Sequence, residues 1–271
     1  MNQHVENLTL KGLTFAAVRL QEQDHVLTIT LNRPKRKNAI NADMTSELIY
    51  ALDYAKQERG IRVVVIAAEG DIFCAGGDLR SMIGNPDDGP VSNVPKRGET
   101  DDISLRIRHL KKPVIANIQG SVLAGGLLMV CNATHALAAD HATFSAPEIK
   151  RGIWPFMVMA GLFRLMPKRE GLDFIMRGQP LSASKAAQCG LINEAVPADE
   201  LGPRVDSLAQ ELSSLAPGTM QMGLAAYNAQ EDMAFDDALP YLRTQIDACL
   251  TSADAREGIS AFLEKRAPDW E

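Results

Sequence analysis

No stretch of this 271-residue chain reaches the roughly 18 apolar residues that a membrane-crossing helix needs. The N-terminus, MNQHVENLTLKGLTF, has no basic start followed by an apolar run, so the chain reads as soluble, unprocessed and cytoplasmic. Basic excess is missing as well. With 28 Lys and Arg against 34 Asp and Glu, the net charge of −6 gives no general attraction to nucleic acid or to an anionic membrane. The four cysteines (Cys74, Cys131, Cys189, Cys249) are scattered, with no C-x-x-C pair, and no metal-ligand cluster is visible. Reduced thiols and no metal are the expectation. No low-complexity tract or fixed-period repeat appears, and no G-x-G-x-x-G follows the first strand, which argues against a dinucleotide enzyme.

What is present is a hydrophobic content of 46%, enough to bury the core of one sizeable domain or of a domain with an appendage. Strand-like runs stand at 25–32 (HVLTITLN), 62–68 (RVVVIAA) and 113–119 (PVIANIQ), with weaker ones at 135–140 and 191–196. Helical spacing with Asn or Ser caps occupies 41–58, 124–134 and 182–190, and the pattern beyond Pro197 is almost wholly helical. Strands separated by helices imply an α/β core, expected over 1–197, with a helical region over 198–271. The Pro-, Gly- and charge-rich stretch 85–102 reads as a long loop. Two glycine pairs stand out, FCAGGDLRSM at 73–82 and GSVLAGGLLMVC at 120–131. Glycine allows a sharp turn and lets a ligand approach backbone N–H donors, so two such places suggest a site built from main chain.

Taken together, LNRPKRKNAIN, IFCAGGDLRSM, KPVIANIQGSVLAGGLLMVCNAT, ATFSAPEIKRGIWP, GQPLSASKAAQCGLINEAVP and EGISAFLEKRAPDW resemble the crotonase, or enoyl-CoA hydratase/isomerase, family, in the family's order and over roughly residues 25–270. The resemblance implies a spiral of repeated ββα units with a helical C-terminal trimerisation region. It also implies acyl-CoA thioester substrates, with coenzyme A as part of the substrate and no separate cofactor, and a homotrimer or a hexamer built as a dimer of trimers.

Carried over residue by residue, the resemblance makes the backbone N–H groups of Gly77 and Gly125 the two donors that stabilise the enolate-like thioester oxygen, a type of contact worth about 2.7–4 kcal/mol each. Ala75, Asp78 and Arg80 around the first donor become substrate contacts, although the short Asp78 side chain suits a helix N-cap at least as well. Arg33 and Lys35, in a basic cluster with Arg36 and Lys37, and Lys265 near the C-terminus would receive coenzyme A. Glu148 in SAPEIKRG matches one of the two glutamates that the family's hydratases commonly use. At the other position stands Leu128, which can neither hold a water nor exchange a proton. Trp154 and Phe156 would line the pocket, Phe156 replacing a family glycine whose N–H helps place the hydrating water. Apolar neighbours should raise the Glu148 pKa toward a value useful for proton transfer. A single carboxylate suffices to shift a double bond, so isomerisation is slightly favoured. The alternatives are a hydratase with a substitute water-positioning group, such as Asp71, His109 or a residue of the 85–102 loop, and a catalytically degenerate acyl-CoA binder.

Overall fold

The computed structural model describes residues 8–82, 84, 90–100 and 102–270. Of the loop expected at 85–102, residues 85–89 and 101 lie outside the described residues, and 90–100 form neither helix nor strand.

Among the described residues ten strands make two sheets. The larger contains β1 (Val18–Gln23), β2 (Val26–Leu31), β3 (Val63–Ala68), β5 (Val114–Ile118), β7 (His135–Ala139) and β10 (Glu194–Val196) in the order β1-β2-β3-β5-β7-β10. The smaller contains β4 (Ile72–Cys74), β6 (Ser121–Leu123), β8 (Thr143–Ser145) and β9 (Leu181–Ser182) in that order. β1 and β2 are antiparallel across Asp24 and His25, both in the left-handed region, as a type I′ hairpin turn requires. From β2 to β10 the larger sheet is parallel. Long strands β3, β5 and β7 each lead through a short corner into short strands β4, β6 and β8. Each ββα repeat therefore adds one strand to both sheets.

Helices cover the larger sheet on both sides, which explains why its strands read as near-continuous apolar runs. In β3 the side chains alternate: Val64 and Ile66 join the main core with Met44, Leu48 and Leu52 of α1 (Ala42–Gln57), while Val63 and Val65 face Leu201, Val205 and Ala209 of α8 (Ala198–Ser213). Each such fully buried side chain stabilises the fold by about 1.5–3 kcal/mol. Asn41 caps α1 by accepting from the Met44 N–H at 2.9 Å. The one acidic group on the buried face of α1, Glu47, accepts the backbone N–H groups of Ala16, Ala17 and Val18 at 2.7–2.9 Å, so its charge is satisfied inside the core.

The remaining helices are α2 (Leu79–Met82), α3 (Asp102–Arg108), α4 (Leu127–Val130), α5 (Phe156–Leu165), α6 (Lys168–Arg177), α7 (Ala183–Gln188), α9 (Pro217–Gln230), α10 (Phe235–Leu250) and α11 (Ala253–Glu264). The segment read as helical over 124–134 is shorter: a 3-10 turn over Ala124–Gly126 runs into α4 and stops at Val130, where Asn132 donates to the Leu128 carbonyl at 2.8 Å. The helical C-terminal region opens with α8, which closes the second face of the larger sheet. α9, α10 and α11 then pack on one another. Among the described residues no helix is long and apolar enough to cross a membrane.

Candidate active site

The smaller sheet decides where the chemistry-bearing residues go. β4, β6 and β8 are mutually parallel, with Cys74 paired to Val122, and Val122 and Leu123 paired to Phe144 and Ser145. Their C-terminal ends therefore share one edge, with neighbouring strands about 4.8 Å apart. The segment 75–77 leaves β4 there, 124–125 leaves β6, and 146–148 leaves β8. Gly77, Gly125 and Glu148 thus follow the ends of β4, β6 and β8 by three, two and three residues on one edge of the sheet, outside the carboxyl ends of parallel strands where α/β folds commonly hold ligands.

Gly77 forms an isolated parallel bridge with Ile40, made by Ile40 N–H to Gly76 O at 2.7 Å and Asp78 N–H to Ile40 O at 2.8 Å. In a parallel bridge the bracketed residue's own N–H points the other way, so Gly77 directs its donor away from Ile40. Neither the Gly77 nor the Gly125 N–H donates to an acceptor among the described residues. The two segments touch. A Cβ on Gly76, whose φ is 87°, would lie 2.6 Å from Ala124 Cβ and 3.0 Å from Gly125 N, and one on Gly125 would lie 3.5 Å from Gly77 N. Glycine at 76 is thus required by backbone approach, and a Cβ at 125 would stand in van der Waals contact with Gly77 N. Ala124, the residue before Gly125, takes a left-handed φ of 50°, a strained conformation for a residue with a Cβ. Sequence reasoning did not single out Gly76 or Ala124. The signal available was the repeated Ala-Gly-Gly triplet, whose two copies pack on each other.

Glu148 lies in a 3-10 turn, Pro147–Arg151, closed by Gly152 at φ 71° and by Ile153 N–H donating to Glu148 O at 3.1 Å. Its Oε2 is buried and has no hydrogen-bond partner among the described residues. Burial raises the Glu148 pKa, against the smaller downward pull of its own backbone N–H and of Arg151. Leu128, one turn beyond Gly125, is only 4% exposed and packs in the main core. Trp154 is half-buried and donates from Nε1 to the Met159 sulfur at 3.2 Å. Phe156, the first residue of α5, is 67% exposed.

Asp78 and Arg33 face each other rather than solvent. Arg33 donates to Asp78 Oδ2 at 2.8 Å and also to the Ala39 carbonyl, with both side chains under 10% exposed. Asp78 Oδ1 accepts the N–H groups of Arg80 and Ser81 at 3.2 and 3.4 Å, capping α2. Burial pushes the Asp78 carboxyl up, but the Arg33 hydrogen bond, the Ser81 and Arg80 N–H groups and the Arg33 charge together bring it below its ordinary value. The pair fixes the backbone immediately after the first donor. Ala75, half-buried, donates to the Lys37 carbonyl at 3.0 Å. Beyond the pair lies a cleft of about 650 Å³ lined by Arg33, Lys35, Arg36 and Asn41, and neither glycine donor nor Glu148 is among its lining residues.

Lys35 and Arg80 are exposed, as is Lys265, the left-handed cap that ends α11. Asp71 precedes β4, at the opposite edge of the smaller sheet from the donors. His109 lies beyond α3 with much of its surface exposed; the part that is covered loses hydration, and this together with the charges of Lys56, Arg108, Arg106 and Lys111 lowers its pKa. Among the described residues no group of three or more His, Cys, Asp or Glu is gathered to hold a metal.

The family model described as enoyl-CoA hydratase/isomerase matches residues 21–271. The Mycobacterium tuberculosis enoyl-CoA hydratase EchA19 is 30% identical over 254 residues, 93% of this chain and 95% of that one. The mevalonyl-coenzyme A hydratase sidH of Aspergillus fumigatus is 30% identical over 258 residues, 91% of each. Among solved structures, an enoyl-CoA hydratase of Mycobacterium smegmatis superposes with a TM-score of 0.85 at 28% identity, covering 94% of this chain and 98% of its own. Human enoyl-coenzyme A hydratase domain-containing protein 3 gives 0.85 at 26% identity, covering 94% and 100%. The paired glycine donors, the glutamate that follows the third short strand and the match across nearly the whole chain agree: the chain belongs to the enoyl-CoA hydratase/isomerase, or crotonase, family of acyl-CoA enzymes.

Proposed function

We propose that this enzyme shifts a double bond in an enoyl-CoA thioester. The thioester oxygen accepts from the Gly77 and Gly125 N–H groups. Glu148, ionised, removes a proton from the α carbon, the negative charge spreads over the dienolate held by the two donors, and Glu148 returns the proton to the γ carbon. The observation that carries the reading is that one carboxylate, with a buried and unpartnered oxygen, follows the third strand of the edge that bears both donors, while residue 128 is a leucine packed in the core. Proton transfer between two carbons needs only one such group.

Hydration is the second reading, favoured by the names of relatives such as EchA19 and sidH. For the assembly we propose a homotrimer or dimer of trimers, supported by apolar side chains left exposed on the C-terminal helices, Phe235 and Phe262 among them. The deciding experiment assays the parent and Glu148→Gln on matched 2-enoyl- and 3-enoyl-CoA thioesters. The amide keeps the shape and removes the proton carrier, so isomerisation should fall about 10²–10⁴-fold with acyl-CoA binding retained. Since burial raises the Glu148 pKa, the acid limb of the parent's kcat should also lie above the ordinary carboxylate range. Full turnover in Glu148→Gln removes Glu148 from the chemistry.

A further inference from the structure

Among the described residues nothing bonds the Glu148 Oε2 atom, and the backbone of 146–149 sets where this carboxylate stands. At one side the turn is fixed by the pairing of Leu123 with Ser145 in the smaller sheet. At the other it is closed by Gly152 and Ile153, whose N–H groups donate to Ile149 O at 3.2 Å and to Glu148 O at 3.1 Å. A third support comes from a distant part of the sequence. Gly178 ends α6 in a left-handed conformation (φ 56°, ψ 29°), with its N–H donating to the Phe174 carbonyl at 3.0 Å. Its α carbon lies directly against the turn. A Cβ there would stand 3.1 Å from Ala146 O, 3.2 Å from Pro147 Cα and 3.2 Å from Ile149 Cγ2, so those neighbours would have to give by a few tenths of an ångström. The three atoms bracket Glu148 along the chain, and two of them are backbone atoms that cannot rotate away.

We infer that Gly178 is a positioning residue for Glu148: its bare α carbon lets the 146–149 turn seat close to the end of α6, and that seat sets the carboxylate's place relative to the Gly77 and Gly125 donors. The inference rests on the reading of Glu148 as the proton carrier. Rate responds steeply to such displacement, about 100-fold for 1 Å, so a shift of a few tenths of an ångström should cost turnover while leaving the coenzyme A contacts in place.

The test compares Gly178→Ala and Gly178→Asn with the parent. Asparagine tolerates the left-handed region better than alanine but brings the same Cβ, which separates backbone strain from close approach. Gly190→Ala is the matched control, since Gly190 is also left-handed (φ 80°) and its Cβ would meet the Leu165 carbonyl at 3.1 Å. On the enoyl-CoA that the parent converts fastest, both Gly178 variants should lose about 10-fold in kcat per folded protein with KM within about twofold. Asparagine should recover part of the thermal midpoint but not of kcat, and Gly190→Ala should lose thermal midpoint with kcat unchanged. Adding Ile149→Ala to Gly178→Ala removes one of the three contacts and should restore part of the rate. The inference is overturned if kcat stays within twofold of the parent in both Gly178 variants, if Gly190→Ala loses kcat equally, or if neither Gly178 variant folds, which would make the contact a folding requirement. Glu148→Gln, run in parallel, reports separately: a full rate there defeats the Glu148 reading itself, whatever the Gly178 variants do.

Discussion

Leu128→Glu asks whether this chain lacks only a second carboxylate for efficient hydration. Leu128 is 4% exposed in a four-residue helix that begins two residues after the second donor, and its carbonyl already accepts from Asn132 at 2.8 Å and Ser104 at 3.4 Å. Giving up the leucine's burial costs about 1.5–3 kcal/mol. An unpartnered polar group in its place costs about 1–3 kcal/mol more, with the carboxyl entering protonated because burial disfavours its charged form. A total of about 4 kcal/mol is a large part of the 5–15 kcal/mol typical of a domain, and at about 2–4 °C per kcal/mol it lowers the thermal midpoint by about 8–16 °C. The variant should therefore be assayed at low temperature, beside Leu128→Gln, which carries nearly the same stability cost without a proton carrier. The ratio of crotonyl-CoA hydration to 3-enoyl-CoA isomerisation should rise in Leu128→Glu and not in Leu128→Gln. It should rise further when Phe156→Gly is added, which restores a glycine where the resemblance places water, and because Phe156 is 67% exposed its removal costs little packing. A parent that already hydrates crotonyl-CoA at about 1–10³ per second while failing to isomerise 3-enoyl-CoA would refute the single-carboxylate reasoning outright.

Gly77→Pro deletes an N–H that no acceptor among the described residues uses, so it should lower kcat about 10²–10³-fold without loss of an internal hydrogen bond; circular dichroism checks the fold, and an unchanged rate in a folded variant would misplace the oxyanion donor. Asp78→Asn removes the carboxylate charge that Arg33 meets at 2.8 Å and should cost about 1.5–3 kcal/mol by urea unfolding at pH 7. Because the folded-state pKa of Asp78 is depressed, the pair's contribution is present above the unfolded value of about 3.9 and is lost as pH falls through the folded one, so parent and variant should converge in acid.

Four strands of the larger sheet, β2, β3, β5 and β7, were legible because each runs five or six residues with β-branched or alternating side chains, and β3 at Val63–Ala68 falls inside the run read at 62–68; β1 was not read, and the three residues of β10 lie within the weaker run at 191–196. The short strands β4, β6 and β8 were not, since three residues carry too little periodicity to distinguish a strand from a turn. α5, FMVMAGLFRL, escaped for a different reason: it is apolar nearly all round, which blurs a helical stripe. Site residues divide in the same way. Gly77, Gly125 and Glu148 stand in motifs that can be read locally. The Arg33–Asp78 pair spans 45 residues, and no local pattern could show that a basic residue in an exposed-looking cluster turns inward to meet that carboxylate.

The repetition of Ala-Gly-Gly about fifty residues apart is explained by the fold that contains it. Each ββα unit adds one short strand to the smaller sheet beside the strand of the unit before, in the same direction. The two copies emerge side by side one residue out of step, since Cys74 pairs with Val122, so the third residue of one triplet, Gly77, stands beside the second of the other, Gly125; two N–H groups a strand spacing apart are what a single carbonyl oxygen can accept from together. The next unit contributes Glu148 at the same edge by the same rule. Strand pairing, rather than loop length, places Gly77, Gly125 and Glu148, so substitutions in the loop at 90–100 should leave this arrangement in place, whereas a register slip between β6 and β8 would displace Glu148 by about 3.3 Å per residue.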